Sequence, residues 1–128
     1  MLQADNADHV DPSLFTVWAR VKKAEDAGYV QEQILATLAQ FRQTAVPGQR
    51  LDAVKSHLRY RFALGMDNSE SIAATVARYV ALRRTPETIN RVYQLYDRIT
   101  PEDLQRIASR YFVDSGRTIV TLKPGESQ

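Results

Sequence analysis

Few residues in this chain are of the kinds that carry chemistry, and their spacing assigns them no reaction. There are two histidines, His9 and His57, and no cysteine. Thiolate metal sites, disulfides and cysteine nucleophiles are therefore excluded. His9 and Asp11 stand two residues apart, the nearest approach to a metal pair, but a zinc site needs three or four convergent ligands. His57 lies among Lys55, Arg59 and Arg61, a cationic setting that disfavours a bound metal and reads as a solvated helix surface. The carboxylates Glu25, Asp26, Glu32, Asp52, Glu70, Glu87, Asp97, Glu102 and Asp103 have no spacing that favours an acid/base pair. Several fall at expected helix starts, where the helix dipole accounts for them. Neither a G-x-S-x-G turn nor a phosphate-binding glycine motif is present. The reading of the residues yields no catalytic, metal or cofactor-binding residue.

The remaining feature is cationic. Arg42, Arg50, Lys55, Arg59 and Arg61, with Tyr60 among them, can form a basic stripe of the kind that contacts a phosphate backbone. The competing reading is a solvated helix face whose long side chains cover apolar neighbours. The second is favoured because 17 Lys and Arg are balanced by 15 Asp and Glu, a net charge of +2. Nucleic acid thus has little support as a partner. No run approaches a membrane span, and residues 1–10 lack the apolar core of a signal peptide. The expectation is a soluble chain with no targeting segment of its own and no compartment specified.

The elements that would position these residues are mostly helical. At 128 residues, 44% of them hydrophobic, the chain is about one domain. Residues 1–11 read as a weakly ordered polar lead-in. Leu14 to Val21 (LFTVWARV) has large apolar groups on both alternating faces, the pattern of an interior strand. A helix is expected from about Ala27 to Arg42, striped by Val30, Ile34, Leu38 and Phe41, and stopped at Pro47. The next runs from about Gln49 to Leu64, with Leu51, Val54, Leu58 and Phe62 on one face and Gly65 as its stop. Asp67, Asn68 and Ser69 offer caps for a third, to about Arg84, burying Ile72, Val76 and Val80. Pro86 to Arg98 makes a fourth.

The fifth has the strongest local signal. Thr100 caps, Pro101 takes the first helical position, and Glu102 and Asp103 complement the dipole. Leu104, Ile107, Ala108 and Tyr111 make its stripe. Arg117 to Lys123 then alternates as a closing strand, ended by Pro124 and Gly125. The fold class is α+β: four to five helices flanked by an N-terminal and a C-terminal strand. Two strands nearly a hundred residues apart make a poor sheet alone. The missing sheet partners are expected in another chain or in another part of the same protein, and the open edges allow self-association.

Three stretches carry a family resemblance: DPSLFTVWARV (Asp11–Val21), RLDAVKSHLRYRFALGMDNSESIAATVARY (Arg50–Tyr79) and ITPEDLQRIASRYFVDSGRTIVTLKP (Ile99–Pro124). In order and spacing they resemble the pitrilysin/insulinase family of zinc metallopeptidases, which includes relatives of mitochondrial processing peptidase. The resemblance implies that residues 12–124 are a C-terminal portion of one peptidase domain, a sheet flanked by helices, with 125–128 as a tail. The family's active half carries H-x-x-E-H with a downstream Glu, and its non-catalytic half an L-R-x-x-x-x-L-G-Y-like motif. Neither occurs here, so no site residue is carried over. The implied role is non-catalytic: walling a substrate chamber and packing on a missing half-domain or homologous subunit. Zinc and the peptide substrate would then belong to the parent protein. The alternative is a free-standing helical interaction module, contacting nucleic acid through the Arg42–Arg61 face.

Overall fold

The structure, a computed structural model, describes residues 1–6 and 11–122. Two short strands open it, β1 (Leu2–Asp5) and β2 (Thr16–Ala19), followed by five helices: α1 (Asp26–Gln43), α2 (Gly48–Leu64), α3 (Ser69–Arg83), α4 (Thr88–Arg98) and α5 (Pro101–Tyr111). A single 3-10 turn, Asp114–Gly116, follows α5. The class is therefore mixed and mostly helical, with five helices and a small antiparallel sheet.

The helix boundaries follow local chemistry. At α5, Asp103 N donates to Thr100 Oγ1 at 3.2 Å while Thr100 N donates to Asp103 Oδ2 at 3.1 Å, a reciprocal capping box with Pro101 behind it. Asn68 caps α3 by accepting from Ser71 N at 2.8 Å. Two stops work differently from expectation. Gly65 ends α2 with right-handed backbone (φ −75°), so its conformational freedom is not used there. Arg84 ends α3 at φ 55°, the left-handed position that glycine ordinarily fills.

Packing is pairwise. Helix α1 lies against α5, where Ala108 is 2% exposed and small enough for close approach. Gln105 Nε2 (3.2 Å) and Ser109 Oγ (3.3 Å) both donate to the Arg42 carbonyl, one of the last-turn acceptors of α1. Helix α4 rests on α3, where Tyr79 and Thr88 are buried. It meets α2 through Phe62 and Tyr93, with ring centroids 4.6 Å apart, and Tyr93 stacks edge-on to Tyr96 at 5.6 Å. On α3 the buried position is Tyr79, while Ile72, expected inside, is exposed. Val54 and Leu58 of α2 are exposed too.

The sheet departs furthest from expectation. The lead-in forms β1, which pairs with β2 antiparallel in the register Leu2↔Ala19, Gln3↔Trp18, Ala4↔Val17 and Asp5↔Thr16. The ladder extends by one pair, since Met1 N and Arg20 N each donate to the other's carbonyl. Yet β2 is not an interior strand: Trp18 is 65% exposed, and Leu14, expected in the strand, lies outside it and is 83% exposed. The closing strand expected at Arg117 to Lys123 is absent over its described part. Residues 117–122 have no secondary structure, and no described strand pairs with them. The physical reason is that alternation specifies a strand only when a neighbour supplies the ladder, and the short sheet's unpaired edge is left empty.

The result is a thin core. The accessible surface is 10945 Å², whereas a self-contained monomer of 14.5 kDa exposes about 6,900 Å². The ten residues outside the described set account for at most about 1,600 Å² of that difference even if fully exposed. Among the described residues only Leu51, Tyr79, Ala108 and Thr88 are buried.

Candidate functional site: the α2–α4 junction

Helix α2 carries the basic residues singled out from the sequence, and its geometry divides them. At roughly 100° per residue, Arg50, His57 and Arg61 lie within about 40° of one another, while Lys55 and Arg59 point some 120–180° away from them. Arg42 is on a different helix, in the last turn of α1. The five cations are therefore two faces and an outlier rather than one stripe.

The Lys55–Arg59 face looks onto the C-terminus of α4. Lys55 Nζ donates to the Asp97 carbonyl at 3.0 Å and to the Ile99 carbonyl at 2.7 Å. Ile99 N bonds back to Leu95 and Tyr96, so these two acceptors belong to the carbonyls that the end of a helix leaves free. The ammonium also sits at the negative end of the α4 dipole, where positive charge is favoured. Arg59 Nη2 pairs with Asp97 Oδ1. Together with Asp52 and Ser56 these side chains line an open cleft of about 310 Å³. Its two cations, Lys55 and Arg59, are committed to α4, so the contacts across the cleft join the two helices.

The other candidates are dispersed. His9 lies outside the described residues, and Asp11 is exposed. His57 is exposed on α2 beside Arg61. Glu25 pairs with Lys23 at 3.4 Å, Glu87 accepts from Thr85 Oγ1, and Asp26, Glu70, Glu102 and Asp103 occupy first helical turns. Glu32 lies mid-helix on exposed α1 surface. Among the described residues no group of three or more His, Asp or Glu converges to hold a metal.

Asp103 and Tyr93 are displaced from ordinary ionisation behaviour. Asp103 is held below the usual carboxylate range, chiefly by the hydrogen bond from Arg106 Nη2 at 2.8 Å and then by the Thr100 backbone N–H. Burial pushes the Tyr93 phenol up, with Tyr79 and Tyr96 adding to the effect and Arg78 opposing it. Both shifts belong to helix capping and packing. The pairing of Lys55 with the end of α4 was not legible in the sequence. Its only trace is the i, i+4 repeat of Lys55 and Arg59 at the border of an apolar stripe.

Among known proteins, the chain is 27% identical over 114 residues to a zinc protease, PqqE, of Helicobacter pylori. The match takes in 89% of this chain and 26% of that protein, so the chain spans about a quarter of its relative's length. No family model matches the chain, and no solved structure matches it. What the sequence establishes is a distant similarity to a zinc protease that runs through nearly all of this chain.

Proposed function

We propose that this chain is a non-catalytic, C-terminal-type portion of a zinc metallopeptidase, with residues 12–124 as the domain portion. It would help wall a substrate chamber and pack on the rest of the peptidase, either a half-domain or a homologous subunit. The parent is a metalloendopeptidase whose zinc and catalytic base lie outside this chain, and its substrate is a peptide or protein. One observation carries the reading: the chain exposes 10945 Å² where a closed domain of its mass exposes about 6,900 Å². Helix faces bearing Val54, Leu58 and Ile72, and a sheet bearing Trp18, are patterned for burial and lack a cover. The distant zinc-protease similarity along nearly the whole chain supports the identity of the missing cover. The absence of an H-x-x-E-H sequence supports the non-catalytic assignment.

Purified chain should bind no stoichiometric zinc on metal analysis and cleave no peptide in a chelator-sensitive manner. Either activity overturns the non-catalytic assignment. At the genomic locus, an H-x-x-E-H peptidase domain is expected in the same or an adjacent reading frame, and a locus without one counts against the peptidase origin. The free-standing module contacting nucleic acid makes the opposite prediction, salt-dependent binding to DNA or RNA. The engagement of Lys55 and Arg59 with α4 leaves that module fewer free cations.

A further inference from the structure

The molecule displays two halves of one interaction. Strand β2 has β1 on one side and no described strand on the other, so one row of its backbone groups is unpaired. Residues 117–122 (RTIVTL) have the alternation of a strand and are exposed throughout: Ile119 47%, Val120 77% and Leu122 86%. Thr118, Val120 and Leu122 share one face, matching the apolar face that Leu2, Ala4, Val17 and Ala19 present on the sheet.

The two halves are also neighbours. Phe112, the residue that ends α5, stacks on Phe15, the residue before β2, with ring centroids 5.1 Å apart. Four residues separate Phe112 from Arg117. Three of them are wound into the 3-10 turn, whose exit is tied by Arg117 N to the Asp114 carbonyl at 3.3 Å and by the Arg117–Asp114 ion pair at 3.0 Å. That leaves little slack for the segment to fold back onto its own sheet edge. A short, constrained hinge of this kind favours exchange between molecules.

We propose that the open edge of β2 is an interaction surface whose occupant is the 117–122 segment of a second copy of this chain. The exchange is reciprocal. Donor and acceptor leave the same corner of the molecule, so one two-fold rotation sets each donor against the other's acceptor and closes the assembly as a dimer. The area is adequate: an extended RTIVTL segment exposes about 1,000 Å², and covering half of it at both edges, with equal area on each acceptor, buries about 2,000 Å² in all. That reaches the upper end of a standard specific interface. The proposal rests on the unfinished sheet and not on the peptidase reading.

Light scattering on the eluting full chain should show its mass doubling as concentration rises. Val120→Pro removes a ladder donor from the donor strand and should return the chain to a monomer with unchanged helical circular dichroism. The chain has no cysteine of its own, which makes a placement test clean. Thr16→Cys chains mixed with Thr121→Cys chains and treated with a short bis-maleimide should give mixed cross-linked dimers. A chain that stays monomeric at every concentration, a dimer indifferent to Val120→Pro, or no mixed cross-link each overturns the proposal. So does a Thr16→Cys/Thr121→Cys double variant that cross-links within monomers at high dilution, which would place the segment on its own edge.

Discussion

Lys55→Met keeps the aliphatic stem and apolar contacts of Lys55 while deleting the ammonium that holds the end of α4. The wild-type group makes two charge-assisted hydrogen bonds, at 3.0 and 2.7 Å, to the Asp97 and Ile99 carbonyls. Hydrogen bonds to a charged group are worth about 1.5–3 kcal/mol, and the half-buried position argues for the lower part of that range. A loss of about 1.5–2 kcal/mol is expected. At about 2.1 cal/mol/K of unfolding entropy per residue, this lowers Tm by roughly 6–7 °C. The neighbouring Arg59–Asp97 pair is the internal control. Its side chains are 56% and 45% exposed, so Arg59→Met should cost no more than about 1 kcal/mol and its effect should fade in high salt. The assay is urea unfolding followed by helical circular dichroism, at low and high salt, on wild type, both single variants and the double variant. Lys55→Met changing stability by less than about 0.5 kcal/mol, or losing its effect in salt as Arg59→Met does, would refute the assignment of Lys55 as the cap of α4.

Three further outcomes are expected. The urea m-value should be about 70% of that typical for a 128-residue protein, because unfolding exposes about 10,000 Å² rather than the roughly 14,000 Å² of a closed domain; a normal m-value contradicts the thin core. Asp103 has a folded-state pKa below its unfolded value, so its stabilising effect is fully present above the ordinary carboxylate range near about 4 and is lost as pH falls through the lower folded value. Asp103→Asn should therefore flatten the acid limb of the stability–pH curve, and an unchanged acid limb removes Asp103 from that role. Trp18 is the sole tryptophan and is 65% exposed, so its emission should be that of a solvated indole, readily quenched by iodide. A blue-shifted, unquenchable emission in the isolated monomer would contradict the open sheet.

Helix α5 was legible in the sequence almost to the residue, because its start is decided by contacts three residues long. Thr100, Pro101 and Asp103 carry the capping box whatever the rest of the chain does. The turns before α2 and after α4 were similarly near their expected places. The buried faces were read less well. Apolar spacing on α2 and α3 marks which residues could be covered, and the packing of α4 against both decides which are. Tyr79 is buried while Ile72 and Val54 are exposed for that reason.

Local chemistry, then, determined the helices, their caps and the alternation of LFTVWARV and RTIVTL, since each depends on neighbours within a few residues. The same sequence excluded cysteine chemistry and supplied no H-x-x-E-H sequence. Tertiary structure alone decided that β1 and not the C-terminal segment pairs with β2, because a strand's partner is chosen by long-range geometry and its own pattern is silent about it. It alone set Lys55 against the free carbonyls of Asp97 and Ile99 and Arg59 against the Asp97 carboxylate, since those partners lie far along the chain on another helix. And it alone exposed the deficit in buried surface, which depends on how all the apolar faces meet at once.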